Sequence, residues 1–379
     1  MQAVKKLMCI VFVLSTIIFG GSLFANTRPT HLPIVAGDVG TVVGTGLHGA
    51  DDGSYATFNL PSSIFAGSDG YLYVADTFNN KIRRVSPNSY ANTIAGNMVG
   101  KDAFGLPAGL YLDGEIDYAL FNRPGAVAVD DNGRIFVADT ENHVIRLIEN
   151  GTVYTFSGSG LSGHRGGPPL SARFSYPTAI TFDNRGNLYV ADTGNHSIRR
   201  VCGRSGRVVT VAGYPHRVGY SNGGVTLAGF NSPMGIALSD DGERIYVADT
   251  GNNVIRVIQN RTVSTKAGVI SGFDEDNYAL GGFEDGYEAM FNMPMGLALY
   301  EGVLLVADYA NHSIRGVLSD GLTFTVAGTG YAGFVNGTPE TAQFHFPMGV
   351  SVMGDTVYVA DSGNNLVRRI EITANGEHP

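Results

Sequence analysis

Tyr189-Val190-Ala191-Asp192-Thr193-Gly194-Asn195-His196-Ser197-Ile198-Arg199 decides how this chain is read. It is a short apolar run, a polar turn, and a second run that opens on a branched aliphatic residue and an arginine. The core of the pattern, Asp-x-x-Asn-x-x-[Ile/Val]-Arg, starts at Asp76, Asp139, Asp192, Asp249, Asp308 and Asp361 and ends at Arg83, Arg146, Arg199, Arg256, Arg315 and Arg368. Recurrence at intervals of 53 to 63 residues is the signature of a repeat architecture.

A second marker, Phe-x-x-Pro, precedes each copy, with its proline at Pro61, Pro124, Pro177, Pro233, Pro294 and Pro347. Between proline and aspartate lie an apolar run, a turn rich in Asp, Asn and Gly, and a second apolar run. Two more strand-like runs follow, the last ending in Ala-Gly or Ser-Gly. Each repeat therefore predicts four short strands joined by turns, with no helical periodicity. A lone meander of this kind cannot bury both faces, whereas six arranged radially can. The expected fold class is all-β, a six-bladed propeller of four-stranded antiparallel blades occupying residues 33–372 as a single domain. The sixth repeat lacks its Ala-Gly strand, and the missing piece stands near the N-terminus as Pro33-Ile34-Val35-Ala36-Gly37. An N-terminal strand is thus expected to complete blade 6 and close the ring.

Residues 1–25 stand apart from the repeats. Lys5 and Lys6 precede an apolar segment, and Phe24-Ala25 offers a cleavage point before Asn26, which is the layout of a signal peptide. A retained anchor is the alternative. The expectation is a secreted or periplasmic protein with no membrane span once the signal is cleaved. Removing Lys5 and Lys6 from 25 basic residues leaves 23 against 34 acidic ones, a net charge of −11. That balance argues against a nucleic-acid partner, which requires a basic face. Cys9 falls in the signal, so Cys202 would be the single cysteine and no intrachain disulfide could form.

The residues Phe-x-x-Pro-x-Gly followed by Gly-x-[Leu/Ile]-[Tyr/Phe]-Val-Ala-Asp-Thr-x-Asn-[His/Asn]-x-Ile-Arg resemble the NHL repeat, across nearly the whole chain after residue 25. The resemblance implies a propeller but not one function, because NHL propellers include binding modules, RNA-binding regulators, sensor domains and a zinc-dependent amidating lyase. In that lyase the zinc histidines follow the strand-initiating proline. The matching positions here are Ser62, Gly125, Thr178, Met234, Met295 and Met348, none of them histidine.

Residues present in all six repeats serve the fold, so the motif Asp and Arg are expected to be structural. The aspartate is expected to accept backbone N–H groups of its own turn and to pair diagonally with the arginine. Function should lie where the repeats differ. His143, His196 and His312 occupy a turn position that holds Asn80, Asn253 and Asn365 elsewhere; they read as solvated turn residues, with a metal site as the alternative. Asp274, Glu275, Asp276, Glu284 and Asp285 read as a solvated loop, with calcium as the alternative. Met234, Met295 and Met348 read as an apolar channel lining or a pliable binding floor, with a soft transition metal as the alternative. Beside them in sequence, Tyr278, Phe283 and Tyr287 make the blade 5 loop aromatic. No cofactor is required by any motif. The expectation is a monomeric binding scaffold for a protein, peptide or glycan through the face bearing the Asp-x-x-Asn turns; a metal-dependent lyase or hydrolase at the channel mouth is the alternative.

Overall fold

The computed structural model describes residues 32–374 except 104, 216, 276 and 277. The signal-like residues 1–25 and Asp276 lie outside that set. Six antiparallel sheets form the blades of a propeller. Blade 3 shows the plan: Pro177–Phe182 innermost, then Leu188–Asp192, Ser197–Val201 and, outermost, Val208–Ala212. The register sets Asp192 opposite Ser197 and Val190 opposite Arg199, so Asp192 and Arg199 lie diagonally on one sheet face. Blades 2 and 4 add a fifth strand of two residues at the outer edge, Gly114–Glu115 and Gly223–Gly224. No helix among the described residues is long and apolar enough to cross a membrane.

Blade 6 is assembled from both ends of the chain. Ile34–Val43 runs antiparallel to Leu366–Ala374 and supplies the outermost strand beyond Pro347–Met353 and Thr356–Asp361. The closing strand is twice the length read from Pro33–Gly37, because bulges after Ala36 and Thr41 let it follow the twist of its partner through to Val43. Ile34 and Val39 then enter the same apolar cluster as Phe324 and Phe344 of the adjoining repeats.

Within each blade one buried ion pair gathers the surrounding chain. Arg Nη1 donates to the motif Asp Oδ2 at 2.6 to 2.8 Å in all six, with both side chains fully buried. The same Oδ2 accepts from the motif Asn, as in Asn79 Nδ2 to Asp76 at 2.8 Å. The other oxygen does not cap its own turn, as expected from sequence. Instead Oδ1 accepts the backbone N–H of the residue after the repeat phenylalanine: Asn59, Asn122, Ser175, Asn231, Asn292 and His345. The turn is a single 3₁₀ turn closed by its own backbone, with a left-handed residue at its end, so it has no need of the carboxylate. Burial pushes the carboxyls of Asp139, Asp249, Asp308 and Asp361 up to about 6, against the opposing pull of the arginine, the asparagine and the backbone N–H. At neutral pH they are ionised.

The guanidinium face is covered by the repeat phenylalanine, with Phe58, Phe121, Phe174, Phe230, Phe291 and Phe344 each 4.9 to 5.5 Å from its arginine. Nη2 points outward to the loop entering the blade. It donates to Asp52, Asp113, Asn222, Asp285 or Asn336 in five blades. The glycine that follows each of these residues has φ between +107° and +145°, a conformation costly for any other residue.

Two outcomes test this frame. Deleting residues 32–43 should expose the edge of blade 6 and lower the thermal midpoint by about 10 °C or more; an unchanged melt would contradict closure. Asp→Ala changes should differ by blade. Asp192→Ala leaves Arg199 with no carboxylate and should cost about 3–5 kcal/mol by denaturant titration, more than Asp139→Ala, where Asp113 still pairs Arg146 at 2.6 Å.

Candidate functional site at the channel mouth

The innermost strands leave a central channel containing a cavity of about 340 Å³, lined from Ser62, Thr178, Met234, Met295 and Met348 at one end to Ala66, Thr181, Leu238 and Val352 at the other. The first end, where the Asp-x-x-Asn turns meet the inter-blade connections, is built by two rings of hydrogen bonds between neighbouring blades.

In the inner ring the hydroxyl after the motif Asp donates to the carbonyl of the next blade's strand-initiating proline. Thr77 reaches Pro124, Thr140 reaches Pro177, Thr193 reaches Pro233 and Thr250 reaches Pro294, at 2.7 to 2.9 Å. Ser362 reaches Pro61 and joins blade 6 to blade 1. Blade 5 departs from the rule, because its residue is Tyr309.

The outer ring explains the alternation of His and Asn. The residue before each proline (Leu60, Arg123, Tyr176, Ser232, Met293 and Phe346) has φ between +47° and +54°, a left-handed conformation that costs free energy. Its N–H is held by the side chain ending the preceding blade's turn. Asn365, Asn80 and Asn253 accept through Oδ1 at 2.7 to 2.9 Å. His143, His196 and His312 accept through Nδ1 at 2.9 to 3.2 Å. An unprotonated Nδ1 is the imidazole's equivalent of the carboxamide oxygen, so these histidines are blade connectors rather than the solvated turn residues read from sequence. No group of three or more His, Cys, Asp and Glu suited to a metal occurs among the described residues.

The backbone of the outer ring is the same in every blade, while the side chains before and after the prolines differ. They differ by sector. Met234, Met295, Met348 and Tyr309 form one buried cluster at blades 4 to 6, flanked by half-buried Met293 and Phe346. Tyr309 and Phe346 stack at 4.6 Å between centroids. His345 stacks on Phe346 at 4.6 Å and lies 5.7 Å from the His312 ring. Blades 1 to 3 present Ser62, Gly125 and Thr178 instead. Apart from Met293, which stands directly before Pro294 and near Met295, the positions before the prolines were missed by sequence reasoning. Their signal was the variable third residue of Phe-x-x-Pro.

The three loop aromatics lie elsewhere. Phe283 covers the outer face of Arg315 at 4.8 Å. Tyr287 is exposed and donates its hydroxyl to Asp320 in the turn between the outer two strands, at the far end of blade 5. Tyr278 is half-buried within its own loop, its N–H on Asp274 Oδ1 at 2.7 Å. Asp285, read as a cation ligand candidate, is the partner of Arg315 at 2.5 Å. The structure therefore brings the methionines together and sets the loop aromatics apart from them.

Burial, and secondarily the charge of His345, depresses His312 from 6.5 to about 4. Because the folded value is the lower one, the unfolded chain takes up the proton first. The contribution to stability is complete above about pH 6.5 and is lost as pH falls toward 4. His312→Asn keeps an acceptor that does not titrate here. Between pH 7 and pH 5 the wild type should lose about 2 kcal/mol more stability than this variant in paired denaturant titrations; equal losses would contradict the assignment.

Comparison with known proteins agrees with the repeat reading and the propeller fold. The NHL repeat model matches residues 121–146 and 174–201. Protein SUPPRESSOR OF QUENCHING 1, chloroplastic, of Arabidopsis thaliana is 32% identical over 69% of this chain and 26% of its own length. NHL repeat-containing protein 2 of Bos taurus is 31% identical over 79% of this chain and 45% of its own. The chain thus spans less than half the length of these relatives. Among solved structures, an auxiliary nutrient binding protein from Bacteroides thetaiotaomicron superposes with a TM-score of 0.65 at 14% identity, over 88% of this chain and 76% of that one. At that identity the likeness speaks to the fold alone.

Proposed function

The chain belongs to the NHL-repeat β-propellers, and from that premise we propose that it is an exported binding scaffold whose ligand seats on the methionine-rich sector of the channel mouth. The observation that carries this reading is the asymmetry of the mouth. After the prolines, blades 1 to 3 carry Ser62, Gly125 and Thr178 and blades 4 to 6 carry Met234, Met295 and Met348, which Met293 and Phe346, standing before the prolines of blades 5 and 6, flank. The two rings of hydrogen bonds between blades use backbone N–H and carbonyl groups at these positions in every sector, so they do not by themselves call for thioethers and an aromatic stack on one side. Methionine adapts its shape to unlike apolar groups at low cost, which suits a peptide or protein segment presenting apolar side chains. Half-buried Phe346 offers a glycan an apolar contact as well. Export is supported by the signal-like residues 1–25.

The test uses a random-peptide phage library and a glycan array as probes against the full chain. Ligands recovered by the wild type should bind Met348→Gln and Met293→Gln variants at least about tenfold more weakly. They should bind Tyr287→Ser, at the far end of blade 5, with unchanged affinity. Equal binding by all variants, or loss in Tyr287→Ser alone, would move the site away from the mouth.

A further inference from the structure

Blade 3 breaks the internal symmetry at a second place, on its outer side and away from the channel. In the other five blades the buried arginine sends Nη2 to an Asp or Asn side chain of the entering loop, at 2.5 to 2.8 Å. It also donates to a backbone carbonyl of that loop, at 2.6 to 3.0 Å. In blade 3 the loop residue is Gly166. Arg199 keeps Asp192 on Nη1, yet its Nη2 is buried with no hydrogen-bond partner, and the whole side chain has no exposed surface. No other Nη among the described residues is left in that state. A buried guanidinium nitrogen without an acceptor is costly, and the other five blades show which acceptor satisfies it.

The rest of the receptor is still in place. The Asp of the other blades is held from its far side by a threonine of the outermost strand. Thr155 and Thr325 each donate their backbone N–H to Oδ2 at 3.0 Å and their hydroxyl to Oδ1 at 3.2 Å. Blade 3 has the same threonine, Thr210, which is exposed and lies opposite Arg199 in the sheet. His164 stands at the sequence position of Tyr111 and Tyr220 in the loops of blades 2 and 4. Those tyrosines contact Thr155 and Thr265, and His164 Nε2 likewise contacts Thr210 Oγ1, at 3.1 Å. Arg165, Arg173 and Arg207 lie on the same loop and strand edge and take part in no ion pair among the described residues. A Cβ on Gly166 would sit 3.9 Å from Arg199 Nη2, so the missing side chain is the one that would have reached it.

We propose that blade 3 carries a binding site for a single carboxylate. Nη2 has no exposed surface while the site is empty, so the loop at Gly166 gives way as the ligand's carboxylate takes the place of the absent Asp: one oxygen accepts from Arg199 Nη2, and Thr210 donates from its N–H and hydroxyl. His164 forms one wall, and the basic edge raises the local concentration of anions. The carboxylate comes from a free small acid or from an acidic side chain of a docked peptide. The two sources share this chemistry and differ in the room they need at the rim. The site is independent of the channel mouth.

The experiment is a backbone-amide NMR titration of the full chain at constant ionic strength. Acetate and the amide-capped dipeptide N-acetyl-aspartyl-glycinamide are the probes, with neutral acetamide as the control. Acetate should shift the Thr210 N–H saturably, and acetamide should leave it unmoved. Saturation by the dipeptide as well identifies an acidic peptide segment as the source; saturation by acetate alone identifies a free acid. Gly166→Asp supplies the carboxylate internally and should abolish the acetate response. Its Cβ would meet the Val208 carbonyl at 2.9 Å, so Thr210→Val provides a second arm that leaves the loop alone. That variant keeps the N–H but loses the hydroxyl, and acetate should bind it about tenfold more weakly. An equal response to acetamide, no saturable response to either acid, or a Thr210→Val affinity equal to wild type would overturn the site.

Discussion

A guanidinium buried in every blade is the constraint from which most of this structure follows. Arginine cannot shed its charge, and its face is stacked on a phenylalanine, so the acceptors of its Nη groups come from inside the protein, and in five of the six blades both Nη groups have them. One acceptor is the motif aspartate two strand positions away. The others come from the loop entering the blade, which must therefore travel outward past the arginine before it returns to the proline. That detour explains why the connections are long and glycine-rich. A glycine with positive φ follows each acceptor residue and turns the chain against the outermost strand, where Gly53 pairs with Ala91 and Gly286 with Thr323. Charge satisfaction within a blade thus determines the path between blades.

Adjacent blades are joined by weaker but equally regular means. A hydroxyl reaches the next proline's carbonyl, and an Asn or His reaches the N–H just before it. The second bond holds a left-handed residue that would otherwise be strained, so the mouth of the channel is ordered by its neighbours and not by its own side chains. This separates two tasks that often compete. The turn hydroxyls and the Asn or His side chains close the ring through backbone groups, and the side chain before each proline is not itself one of those partners. Tyr309 departs from that scheme. By replacing a threonine it forfeits one inter-blade hydroxyl bond, and it turns the released space into an aromatic stack with Phe346 at 4.6 Å.

The fold was legible because its determinants are short-range and repeated. Asp and Arg seven residues apart fall diagonally across a tight hairpin, and strand registers admit few other arrangements. The missing fourth strand of blade 6 could be counted from the repeats, although its length could not, since bulges leave no mark in so short a segment. The roles of Asp285 and the histidines were not legible for a different reason. Their partners lie about 30 residues away across the inter-blade loop, Arg315 for Asp285 and the Phe346 N–H for His312. An acidic residue in a loop looks alike in sequence whether it is solvated, holds a cation or receives a buried arginine. Likewise Tyr287 and Met295 are near in sequence, but one lies on the outer edge of blade 5 and the other at the channel axis. Radial position in a propeller changes with every strand, so proximity along the chain says little about it.

The two departures from symmetry differ in kind, and the difference bears on what each can mean. At the mouth, the backbone bonds between blades survive the variation, and the methionines of blades 4 to 6 pack on one another where Ser62 and Thr178 hydrogen-bond, so each version meets its own needs. In blade 3 the residue that varies is one the ring does use. Losing the acceptor at position 166 leaves a buried Nη2 unpaired, a penalty of about 1–3 kcal/mol or more for a charged donor. Neutral drift is a sufficient explanation for the first kind of change. The second leaves a buried donor unpaired; the five intact copies show which acceptor fits it, although a Cβ at Gly166 would meet the Val208 carbonyl at 2.9 Å. An external acceptor removes the penalty whenever it is bound, and the stability that Gly166 forgoes then reappears as affinity for that acceptor.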